Sequence, residues 1–168
     1  MKKNTKILIV CLAALLLVVG IVSIVLINNN NKYTDALSAT ELYNAVANSF
    51  ETSGGNKVLD SDVILEFSDN ELSYLKDYIV VKANNAKNIN EIGIFKVEEG
   101  TSNDMKSLVE KYVANLQQTY RAMDYFPEEV EKIDFATVKV FGNYVVYSFL
   151  NENDTEAFYN AIENQIKE

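Results

Sequence analysis

ATVKVFGNYVVYSFL, residues 136–150, reads as two β-rich runs folded back on each other. Residues 136–141 and 144–150 are rich in Val, Phe and Tyr, and Gly142-Asn143 between them is a two-residue Gly-X loop, a strong hairpin signal. Just before the hairpin, Met105, Leu108, Val109, Tyr112, Val113, Leu116, Tyr120 and Met123 recur at three- and four-residue steps. That spacing predicts an amphipathic helix from Asp104, with Thr101 or Ser102 as its cap. Pro127 prevents its continuation, and residues 128–133 form a short helical turn. After the hairpin, Asn153 or Asp154 is expected to cap a last helix that buries Phe158, Ala161, Ile162 and Ile166.

The same order occurs earlier in the chain. Residues 78–83 and 91–97 read as strands, joined by an Asn-rich loop over 84–90. A short helix opens at the capping-box pattern Ser68-Asp69-Asn70-Glu71 and runs to about Leu75. A longer one opens at Ser38-Ala39-Thr40-Glu41, with Leu42, Val46, Ser49 and Phe50 along one face, and Ser53-Gly54-Gly55-Asn56 stops it. Two strand-strand-helix units in succession predict an α+β domain, an antiparallel four-stranded sheet with helices on one face.

One transmembrane helix is expected to precede this domain. Residues 7–27, ILIVCLAALLLVVGIVSIVLI, carry no charge and are long enough to cross a bilayer as a helix of roughly 30 Å. The run exceeds the apolar core of a signal peptide, which favours an uncleaved signal-anchor. Cys11, the sole cysteine, then sits inside a membrane helix. Lys2, Lys3 and Lys6 precede the span, so residues 1–6 are expected in the cytoplasm and the C-terminal part outside. Residues 28–34 make a short polar linker and residues 35–168 the extracytoplasmic domain.

Charge and composition narrow the function classes. All 24 acidic residues lie beyond the span, with 12 of the 15 basic ones (the three N-terminal lysines excluded), so that part carries 12 − 24 = −12. Such a surface is repelled by nucleic acid and by anionic headgroups. With no cysteine outside the span there is no disulfide framework. The wealth of Asn, Lys, Ile and Tyr points to an AT-rich bacterial genome.

Histidine is absent, which removes the commonest general base and metal ligand. No G-x-S-x-G or S-x-x-K signature occurs, and Ser53-Gly54-Gly55-Asn56-Lys57 lacks phosphate-loop spacing. Carboxylate pairs such as Glu98-Glu99 and Glu128-Glu129 could serve glycoside hydrolysis, but adjacent acids are expected on an acidic surface. Asp60, Asp62 and residues 151–154 offer oxygen ligands without the order of a calcium loop. No metal or other cofactor is therefore expected. Among ten tyrosines, Tyr120 is in phase with the helix stripe and reads as core, whereas Tyr125 and Phe126 flank Pro127 and are the candidate binding residues.

EIGIFK (91–96), the long helix after it, YFPEE (125–129) and VKVFGNYV (138–145) come in an order that resembles the domain-of-unknown-function 4358 family. The likeness runs over roughly 37–166. It implies a small exported protein of Firmicutes, many of whose relatives are lipoproteins, and it transfers no activity and no site residues. Cys11 departs from the lipoprotein pattern, since Val10 stands where a small residue is expected. The leading expectation is a single-pass membrane protein, not an enzyme, whose external domain binds another envelope protein or a cell-wall component. A carboxylate-based wall hydrolase and a small-ligand-binding module are the alternatives.

Overall fold

Five strands pair side by side into one antiparallel sheet in the computed structural model, which describes residues 32–50, 56–58, 67, 69–85, 87–123 and 127–168. The expected span 7–27, most of the linker, Asp60, Asp62 and the pair Tyr125 and Phe126 lie outside the described residues. Among those described, no helix is long and apolar enough to cross a membrane. In chain order the elements are α1 (Ala39–Val46), β1 (Asn56–Val58), α2 (Asp69–Leu72), β2 (Leu75–Ala83) and β3 (Glu91–Val97). Then come α3 (Ser102–Ala122), α4 (Pro127–Phe135), β4 (Thr137–Phe141), β5 (Tyr144–Phe149) and α5 (Glu152–Ile166).

The sheet runs β1-β2-β3-β5-β4. The four strands expected from sequence are all present, and the short β1 adds a fifth at the edge beside β2. Gly142 takes a positive φ of 58° at the hairpin between β4 and β5, a conformation that glycine adopts at little cost.

Helices cover both faces of the sheet, not one. On one side α1 and α5 pack on Ile79, Val81, Ile92, Ile94, Tyr144 and Val146. On the other, α3 and α4 pack on Val80, Phe95, Val97, Val145, Tyr147 and Phe149. The physical reason lies in the strands: β5 is buried along its whole length and β3 nearly so, so apolar side chains point both ways and each face needs a cover. Gly93 makes room on the α3 side, because a Cβ there would lie 2.1 Å from a ring carbon of its register partner Tyr147.

Local chemistry sets the helix ends. The capping box at Ser38 forms in full, the Ser38 hydroxyl accepting from Glu41 N and Glu41 accepting from Ser38 N. Ala39 N is taken by Asp77 Oδ2 at 2.7 Å, which ties α1 to β2. Strand β2 starts at Leu75, earlier than expected, because α2 stops at Leu72. The cap of α5 is Asn151, not Asn153 or Asp154; its side chain accepts from Asp154 N. Thr101 is the N-cap residue of α3, but its hydroxyl donates back to Glu98 O and gives no side-chain cap. The compact unit begins at Tyr33, where Thr34 N donates to Ile166 O at 2.7 Å and the Tyr33 ring meets Phe141 edge-on.

Candidate functional site

The most unusual buried group is Glu91, a carboxylate at 1% exposure that opens a strand whose other charged residue, Lys96, is only partly buried. Register places it beside Lys82 on β2 and Phe149 on β5, all on the α3 side of the sheet. Helix α3 lays Tyr112 and Tyr120 over this spot, since positions eight apart return to the same helix face. Glu91 Oε1 accepts from the Tyr147 hydroxyl at 2.6 Å and from the Tyr112 hydroxyl at 2.8 Å. Glu91 Oε2 lies 3.5 Å from Lys82 Nζ and makes no hydrogen bond among the described residues.

Lys82 joins this network to the surface. Its ammonium donates to the Tyr120 hydroxyl at 3.1 Å and lies 5.6 Å from that ring's centroid. Burial alone would lower its pKa, but Tyr120 and Glu91 outweigh that and raise it above the usual lysine value. Burial raises the Tyr147 and Tyr112 pKa values well above that of an ordinary phenol, and the Glu91 carboxylate beside them adds to the effect. Both hydroxyls therefore stay protonated and act as donors. The arrangement is a carboxylate held by two O–H groups and an ammonium, which fixes side chains well but leaves Glu91 poorly placed to deliver a proton to a ligand.

An open cleft of about 320 Å³ lies against Lys82 and Tyr120, walled by Asn84, Asn85, Asn88 and Ile89 of the Asn-rich loop. A second buried carboxylate holds that loop in place. Glu129 of α4 accepts from Ile89 N at 2.8 Å and from Lys132 Nζ at 2.7 Å, and Lys132 also reaches Asn88 Oδ1 at 3.5 Å. Gln117 Nε2 donates to Ile133 O and Arg121 pairs with Asp134, so α3 and α4 are tied together close by. The cleft and the α3–α4 corner thus share one end of the domain.

That corner carries the exposed large hydrophobic residues found among the described ones, Met123 at 58% and Val130 at 40%. They bracket Tyr125 and Phe126 in the chain; those two lie outside the described residues. Tyr120 is core, as its phase on the helix predicts.

The acidic pairs picked out from sequence divide. Glu98 is half exposed and pairs with Lys76 at 3.1 Å, and Glu99 is exposed. Glu128 is exposed, but Glu129 beside it is buried, because α4 turns it inward to meet the loop. Asn151 and Asp154 are spent on the α5 cap. No group of three potential metal ligands occurs among the described residues.

Sequence reading did not single out Lys82 or Glu91, and it weighed Glu129 only with Glu128 as an acidic pair. Lys76 and Asp77 share a strand with Lys82, and Lys96 shares one with Glu91, so a charge within a strand did not mark the two out. Nothing marked Glu129 as the inward member of its pair, since one helical turn with several acids does not announce which one faces in.

No curated protein and no solved structure matches the chain. Residues 53–150 match the family described as Domain of unknown function (DUF4358), a stretch that takes in β1 to β5 with α2, α3 and α4 and leaves out α1 and α5. The match covers more than half of the sequence, so this chain belongs to the DUF4358 family.

Proposed function

We propose that this protein is a membrane-anchored, exported binding module of a Firmicutes envelope, and that it recognises another envelope protein or a cell-wall component. The recognising face is the α3–α4 corner. The supporting observation is the exposure of Met123 and Val130 on either side of Tyr125 and Phe126, while other large apolar side chains among the described residues are covered. Exposed apolar side chains clustered at one corner suit docking better than chance scatter does. Residues 7–27 supply the anchor, and the three lysines ahead of them put the domain outside.

The test is a photo-crosslinking amino acid placed at Val130 or, as a control, at exposed Asn160 on α5, in the full-length protein in its native cell. One discrete product from position 130 and none from 160 is expected. Equal products from both positions, or none from 130, would contradict the assignment. Protease added to intact spheroplasts tests the topology separately: the domain is expected to be digested, and protection would reverse the orientation.

A further inference from the structure

We infer that strand β4, at the open edge of the sheet, accepts an added antiparallel strand: an extended peptide segment of a partner protein that carries an acidic residue between two aliphatic ones. This surface is separate from the α3–α4 corner and does not depend on docking there. The first observation is the free backbone. β4 ends the sheet and pairs with β5 alone. Residues that flank a two-residue hairpin loop, here Phe141 and Tyr144, form a hydrogen-bonded pair, and bonded and non-bonded pairs then alternate. The N–H and C=O groups of Lys139 and Phe141 therefore face β5, whereas those of Val138 and Val140 face outward. Among the described residues these outward groups have no partner. Such a row of donors and acceptors is a template for another strand.

The second observation is a hollow of about 320 Å³ beside that edge, between Glu110, Val113 and Gln117 of α3 and residues 136–138. Its polar side chains are engaged: Glu110 pairs with Lys106 at 3.3 Å, Gln117 donates to Ile133 O at 2.8 Å, and Thr137 bonds the Tyr159 hydroxyl at 3.2 Å. Val113, Ala136 and Val138 are left as an apolar floor. A residue added opposite Val138 points its side chain to the same α3 side, so an aliphatic one fills this hollow. Charge selects the residue between. Lys139 is exposed on the α5 side, its ammonium 4.4 Å from the Tyr159 ring centroid and in no ion pair among the described residues. An acid set opposite it is stabilised and a lysine repelled. The same lysine disfavours a second copy, because β4 paired with itself about Lys139 sets like charges face to face, and two strongly acidic domains repel each other.

The experiment is an NMR titration of the full-length ¹⁵N-labelled protein, in detergent micelles, with the peptide acetyl-Ser-Thr-Val-Glu-Val-Thr-Ser-amide. Saturable shifts centred on the Val138, Lys139 and Val140 amides are expected, with half-saturation at about 1 mM or below. The same peptide N-methylated at both valines has lost the donors that face β4 and should not bind. Lys139→Glu should weaken the parent peptide at least about threefold and prefer a peptide with Lys in place of Glu, a reversal that loss of fold cannot produce. Absence of saturable shifts at the edge, binding that survives N-methylation, or a preference left unchanged by Lys139→Glu would overturn the site. Shifts of the Val138 and Val140 amides that follow protein concentration without peptide would give the edge to a second copy and overturn it too.

Discussion

The Tyr147 hydroxyl donates to Glu91 Oε1 at 2.6 Å, while the ring that carries it lies over Gly93. One tyrosine of β5 thus spans two positions of β3, sealing the glycine gap and satisfying the buried charge together. Polar and apolar packing on the α3 side of the sheet are consequently one unit. Disturbing the charge should cost more than a surface ion pair does.

Glu91→Ala should lower stability by about 3 kcal/mol or more, because two buried hydroxyls lose their acceptor and Lys82 loses its counter-ion. At roughly 2–4 °C per kcal/mol for a chain of this size, the melting temperature should fall by at least roughly 6 °C. Circular dichroism melting checks this, and an unchanged midpoint would mean that the network is not held as described.

Alkaline pH should unfold the domain. Burial, aided by nearby Asp35, pushes the Tyr144 pKa up to about 12, and the Tyr147 pKa is raised too. A phenol whose folded pKa exceeds its unfolded value of about 10 contributes its full stability below pH 10, and that contribution is lost as pH rises through the folded pKa. Melting temperature should therefore fall between about pH 10 and pH 12. Tyr144→Phe, which also forfeits the bond to Leu37 O, should start lower and fall less steeply over the same window.

Two positions on α3 should respond unequally. Val109 is fully buried, so Val109→Asp would place an unpaired carboxylate in the core at a cost of about 3 kcal/mol or more. Leu116 is only partly buried, so Leu116→Ala should cost about 1 kcal/mol, below the roughly 2–5 kcal/mol of an enclosed leucine. Urea unfolding of both variants checks the order.

That contrast also marks how far the sequence could be read. The α3 stripe was legible from its period, as were the bounds of β3 and the Gly142-Asn143 hairpin. Periodicity records that a side chain is apolar, not how much of it is covered; Leu116 and Met123 therefore share the stripe with Val109 yet stand at its margin. Coverage of both sheet faces was written in the two-way apolar character of β5, but two strand-strand-helix units suggested a single covered face. The Lys82–Glu91 pair was harder. Its residues lie at opposite ends of the 84–90 loop, and only the register of β2 on β3 brings them together. Tyr112 and Tyr147 looked like ordinary core aromatics, because nothing in sequence shows where a hydroxyl ends up.

The most direct measurement of the docking account is paired: crosslinked yield in cells and thermal melting of the full-length protein, for Tyr125→Ala with Phe126→Ala. If these two residues form the recognition surface together with Met123 and Val130, capture is lost and melting stays within a few degrees of the parent. If the double variant unfolds, the rings belong to the core; if capture persists undiminished in a folded protein, the partner docks elsewhere. Either result would contradict the α3–α4 corner as the binding face.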